Sequence, residues 1–209
     1  MDNVPLEDIA RYEVGGSIAI LVNTAPAAFW TLLILYSHPG LLDDVRKEVD
    51  ACTTTTTTET GTTVRALDIN VLKESFPSAL LVPGGTPPPL HGHNRPNIED
   101  FEPRRFLPEE KQNRPRDVCF RAFGGGKTLC PGRHFATNEV LAVVAVFIVR
   151  FDMKSVEGGG RMPTTVNTNV TSVVMEPDDD VQVEIKTRAG FEDVEWAINL
   201  DELEILLRW

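Results

Sequence analysis

The segment Phe123-Gly124-Gly125-Gly126-Lys127-Thr128-Leu129-Cys130-Pro131-Gly132-Arg133 constrains this chain more than any other. Glycines at 124, 125 and 126 tolerate positive φ and carry no Cβ, so the backbone can turn tightly and approach a large flat ligand closely. Cys130 ends that turn. Pro131 suits a first helical position, and Ala136, Val140, Val143, Val144 and Phe147 follow at helical spacing, which predicts a helix from about Pro131 to Val149. The start of such a helix would favour the thiolate of Cys130 and offer N–H groups to its sulfur. A metal that accepts a lone thiolate is the natural guest.

Other readings of the segment are weaker. A nucleotide-binding loop ending in Lys-Thr needs a glycine five residues before Gly126, where Arg121 stands. A zinc site needs several Cys or His at short spacing, and only Cys119 and His134 lie near Cys130. A buried cysteine beside a flexible turn would leave the phenylalanine and the glycines unexplained.

These eleven residues resemble the haem-binding loop of the cytochrome P-450 family, the haem-thiolate monooxygenases. Phe123, Gly124, Gly126, Cys130 and Gly132 fall at the family's positions, and Arg133 and Ala136 continue as in many members. The resemblance implies haem b, with Cys130 as the axial thiolate of its iron and the other motif residues around the cofactor. Thr128 departs from the pattern, standing where many members carry an Arg or His for a haem propionate. The implied fold is mainly α with small β elements, the C-terminal portion of the cytochrome P-450 fold.

Flanking elements agree in order. Phe101-Glu102-Pro103-Arg104-Arg105-Phe106-Leu107 resembles the element upstream of the family's haem loop, in which Arg105 would pair with Glu74 and brace the loop. The family's Glu-x-x-Arg motif then wants an arginine three residues after Glu74. Pro77 stands there, cannot make an ion pair and ends a helix. Val82 to Pro89 reads as turns and extended polyproline where the family has paired strands.

Ser17 to Tyr36 holds no charged residue over twenty positions. Length alone allows a membrane span, but Pro26 and the polar pair Asn23-Thr24 at its middle argue against one. The stretch resembles the family's long central helix, whose acid or amide followed by Thr matches Asn23-Thr24. By that resemblance Thr24, with Asn23, would hydrogen-bond dioxygen and help deliver protons to it. The following Pro-Ala-Ala-Phe-Trp resembles the sterol-hydroxylase and prostacyclin-synthase branch.

The expected organisation is a partial haem domain over residues 1–189 and an unassigned acidic tail over 190–209. Within the domain, 17–50 is the central helix, 51–63 a Thr-rich linker and 64–100 a degraded region. Residues 101–150 carry the upstream element, haem loop and following helix, and 151–189 the C-terminal strands. Val149 to Met153 and Thr164 to Val174 alternate like short strands, and Glu176 to Glu184 returns to a polar turn with a strand-like end. Residues near Asn167 to Ser172 are the family's substrate-contacting candidates. The tail has a weak helical pattern in Val194, Ile198 and Leu206. His91 and His93 read as surface residues of a proline-rich loop.

With 209 residues the chain is long enough for a real core, yet short for the family, and neither an N-terminal anchor nor a signal peptide is visible. Its net charge of −11 is concentrated in residues 176–209, which hold 11 acids against 3 bases. No basic stripe favours nucleic acid. Arg104, Arg105, Lys111, Arg114, Arg116, Arg121, Lys127 and Arg133 cluster around the haem loop, where the family receives an NADPH-dependent reductase. Three cysteines fit a reducing, intracellular compartment, with membrane attachment if a longer chain carries an anchor. Two functions remain open. One is a monooxygenase inserting one atom of O2 into a lipophilic substrate. The other is a truncated, inactive relative that keeps the motif, and exposure of one haem face makes it the stronger expectation for this chain's own activity.

Overall fold

A computed structural model describes residues 5–75, 123–156, 162–166, 174–200 and 203–207. Helix α1, Leu6–Ser37, is followed by α2, Pro39–Ala51. The central helix expected over 17–50 is therefore longer at its start and broken at its end. Glu7 and Asp8 complement the positive end of α1, and Arg11 pairs with Glu7 at 2.6 Å one turn on. Pro39 lacks the N–H that would continue the helix through His38, and instead opens α2.

Strand β1, Thr53–Thr57, and strand β2, Thr63–Asp68, form an antiparallel hairpin. This corrects the linker expected at 51–63. Threonine is β-branched and stiff at χ1, so a run of it is as good a strand as it is a low-complexity tract. The turn closes on Gly61 at φ +84°, a conformation glycine adopts freely, and Thr58 N donates to Thr62 O at 2.9 Å. A short helix α3, Ile69–Ser75, follows directly.

After a 3₁₀ turn over Gly126–Thr128, helix α4 spans Arg133–Arg150. It begins two residues later than the sequence suggests because Pro131 and Gly132 are spent in the turn out of Cys130. Ala136 N donates to Gly132 O at 2.9 Å as the first helical bond. Its buried stripe is Val140, Leu141, Val144, Ala145, Ile148 and Val149, whereas Val143 is 50 % exposed and off the core face. Strand β3, Phe151–Ser155, pairs antiparallel with β4, Val183–Thr187. The strand expected over Thr164 to Val174 is not found in its described residues 164–166 and 174.

The expectation for the tail is also overturned. Residues 194–200 form β5 and 203–207 form β6, with β5 parallel to β2 and antiparallel to β6, giving the sheet order β1-β2-β5-β6. Val194 and Ile198 lie four apart, a spacing that fits one helix face and also one strand face. Trp196, two residues from each, belongs only to the strand reading, and it is fully buried. The core joins Leu35, Leu42, Val45 and Val49 of the first two helices to Leu67, Ile69, Leu72, the α4 stripe and Trp196. Among the described residues no helix is long and apolar enough to cross a membrane.

Candidate functional site

Around Cys130 the glycines do what the turn requires. Gly124 has φ +79° and Gly126 φ +59°, both left-handed, while Gly125 is extended. The loop is tied at its base by Cys130 N donating to Phe123 O at 2.9 Å. Arg133, the first residue of α4, folds back so that its guanidinium donates to Cys130 O at 3.2 Å. One main-chain carbonyl thus couples the helix to the loop. Phe123 and Cys130 are half-buried, and the Cys130 sulfur is in no disulfide.

Two features of the surroundings bear on a ligand. A Cβ added at Gly132 would lie 3.9 Å from Cys130 Sγ, in ordinary van der Waals contact, so the glycine lies directly beside the sulfur. Leu129 and Phe135 stand 42 % and 57 % exposed on either side, apolar surface that a large flat ligand would cover. Among the described residues no group of three or more His, Cys, Asp or Glu could hold a bare ion. A single soft sulfur suits iron that brings its other ligands in a macrocycle. The residues present fit a haem on these grounds.

The far end of α4 is fixed by side chains from elsewhere. Arg46 Nε donates to Ile148 O at 2.8 Å, its Nη2 to Phe151 O at 2.9 Å and to Asp152 Oδ1 at 2.7 Å. Arg188 Nη1 donates to Val149 O at 2.6 Å. Cations at the negative end of the helix satisfy carbonyls that have no intrahelical donor. Tyr36 donates its hydroxyl to Phe151 O at 2.6 Å, and burial pushes its ionisation from 10 up to about 12 against the opposing pull of Arg46. No sequence motif announces this bracket, because its parts come from four separate elements.

Thr24 is buried in α1, and Asn23 beside it is half-buried. Asn23 Oδ1 accepts a hydrogen bond from Val174 N at 3.2 Å. Glu74 lies in α3, but its side chain and the whole of Arg105 fall outside the described residues, as do Pro77, Cys119, His91, His93 and the Asn167 to Ser172 stretch. Of the basic cluster, Lys127 is exposed and Arg133 half-buried, and the rest lies outside the described residues.

The described site thus offers a thiol from a glycine turn at the start of α4, which packs against α1, the helix that carries the buried Thr24. Residues 95–183 match the family model for cytochrome P-450. The chain is 30 % identical over 243 residues to cytochrome P-450 monooxygenase nodJ of Hypoxylon pulicicidum, covering 95 % of this chain and 47 % of that protein. It is 22 % identical over 237 residues to 25-hydroxycholesterol 7-alpha-hydroxylase of Rattus norvegicus, covering 87 % of this chain and 55 % of that one. The crystal structure of the cytochrome P-450DA haem domain superposes with a TM-score of 0.50 at 17 % identity, over 81 % of this chain and 42 % of that one. This chain belongs to the cytochrome P-450 family, and it spans about half the length of the curated relatives it matches.

Proposed function

We propose that this protein is a haem-thiolate monooxygenase that inserts one atom of O2 into a lipophilic substrate, with NADPH supplying electrons through a reductase. The observation that carries the reading is Cys130, a half-buried, unbridged thiol at the end of a loop whose two left-handed glycines hold it at the start of α4. Cys130 would be the axial ligand of haem b. Phe123, Gly124 and Gly126 shape the turn, Gly132 lies beside the sulfur, and Arg133 fastens the loop to the helix. When bound, the haem supplies the electron storage and oxygen chemistry that no side chain can, tuned by the thiolate.

Thr24 would serve as the proton-handling group, since its hydroxyl can donate to dioxygen from a buried position that limits solvent. Lipophilicity of the substrate is supported by the apolar stretch from Ser17 to Tyr36 on which Thr24 stands. A membrane-associated, intracellular setting accords with such a substrate. The chemistry balances as substrate C–H plus O2, NADPH and a proton giving C–OH, water and NADP⁺. Turnover of a panel of sterols and fatty acids with labelled dioxygen and an NADPH-fed reductase tests it. One labelled oxygen atom in product per NADPH, lost in Cys130→Ala, supports the proposal. A haem-loaded chain giving no labelled product with any of them supports instead the inactive relative.

A further inference from the structure

Asn23 precedes Thr24 in α1, and the family resemblance assigns the two residues jointly to proton handling. The contacts of Asn23 point to a structural role for it as well. We propose that Asn23 is a positioning residue, half of a two-point clamp that holds the main chain at 174–175 against α1.

Asn23 Oδ1 accepts from Val174 N at 3.2 Å, and Trp30 Nε1 donates to Met175 O at 2.7 Å. The two side chains come from one helix and grip adjacent residues some 145 or more positions away in sequence. Positions 23 and 30 are seven apart, so their side chains share a face of α1, about 10 Å apart along its axis. Adjacent residues of the gripped chain are only about 3.8 Å apart. The gap closes because side chains on a helix lean toward its N-terminus, which carries the long indole of Trp30 back toward Asn23. Ala27 lies between them on that face with only a methyl, leaving room for a main chain to cross.

One anchor accepts and the other donates, so the pair fixes direction as well as place. A slip of the segment by one residue would present Asn23 with the wrong main-chain partner. Trp30 is 7 % exposed and Thr24 likewise 7 %, so the clamp sits at the edge of the buried part of α1. An amide does not titrate in water and makes a poor proton relay, but its carbonyl oxygen is a strong acceptor for a backbone N–H. Residues 174 and 175 come one residue after the stretch from Asn167 to Ser172, outside the described residues, that the sequence resemblance points to for substrate contact. The clamp therefore fixes the main chain at 174–175 on the helix that carries Thr24. This functional sense rests on the monooxygenase reading, whereas the clamp itself does not.

Amide hydrogen exchange on the full chain, without added haem, separates the two. Asn23→Ala should speed exchange of the Val174 amide about tenfold, the equivalent of about 1.4 kcal/mol for one lost bond. Asn23→Asp keeps an acceptor oxygen at the same place and should restore protection to within about twofold of the natural chain. Trp30→Phe, which keeps the ring and removes the donor, should speed exchange in the same segment. Val174 exchange unchanged in Asn23→Ala would overturn the clamp, and so would Asn23→Asp exchanging as fast as Asn23→Ala. Loss of haem binding by the natural chain would defeat the oxygenase reading and leave these exchange rates as they are.

Discussion

Replacing Trp196 by Ala tests whether residues 190–207 are part of the folded core. Trp196 is fully buried on β5, its ring stacks on Phe191 at 6.3 Å between centroids, and the Arg65 guanidinium lies 5.2 Å above it. Deleting a buried Trp ring costs about 3–5 kcal/mol in transfer and cavity terms. The lost cation–π contact is included in that range at about 0.5–1 kcal/mol. One term opposes it. Trp196 Nε1 is buried with no hydrogen-bond partner among the described residues, and removing an unpaired donor returns about 1–3 kcal/mol. The net expectation is about 2 kcal/mol, within a span of about 0–4 kcal/mol, against a stability of about 5–15 kcal/mol.

Trp196→Phe isolates the opposing term, since it keeps most of the ring and removes the orphan N–H. It should stay within about 1.5 kcal/mol of the natural chain. Urea unfolding followed by far-ultraviolet circular dichroism reads both, and with a slope of about 2 kcal/mol/M the Ala variant should lose about 1 M in midpoint. An Ala variant within about 0.5 kcal/mol of the Phe variant, which also lacks the N–H, would place Trp196 outside the core, because exposed residues alone behave so.

Tyr36, held neutral by burial with its ionisation raised from 10 to about 12, contributes stability that is full below pH 10 and lost as the pH rises through 12; Tyr36→Phe should flatten that alkaline limb, read by chemical denaturation from about pH 9 to 12. Gly126→Ala forces a side chain into φ +59° and should cost about 1–2 kcal/mol, a fall of about 2–8 °C in Tm, while Gly125→Ala in its extended, open position should not move Tm measurably. Arg46→Ala should cost about 1–3 kcal/mol in urea unfolding because Ile148 O at the end of α4 loses the Arg46 donor, and Arg46→Lys should recover little because it lacks the guanidinium fork.

The legible parts of this chain are those whose cause is local. The Cys130 loop declares itself because glycines, cysteine and proline act within a few residues of one another, and α1 and α4 because apolar spacing recurs along one segment. Even there, periodicity places Val140, Val143 and Val144 together, whereas the packing of α4 against α1, α2 and α3 buries Val140 and Val144, adds Leu141 and leaves Val143 50 % exposed. The sheet was illegible for the opposite reason. Thr53–Thr57 becomes a strand only because Thr63–Asp68 pairs with it, and Val194–Leu200 only because it lies parallel to that same strand more than a hundred residues earlier. Composition read the first as a linker and the second as a tail. The bracket of Arg46, Arg188 and Tyr36 on the end of α4 is similarly invisible, since each partner meets a main-chain carbonyl and no motif records such pairings.

The oxygen chemistry proposed for this protein depends on the Cys130 sulfur acting as a ligand to haem iron. Reconstitution with haem, reduction and exposure to carbon monoxide, compared between the natural chain and Cys130→Ala, reads that ligand through the Soret band. Ligation by Cys130 gives the thiolate-type band in the natural chain and none in the variant, whereas a band that survives loss of Cys130, or one of nitrogen-ligated type in the natural chain, would rule it out.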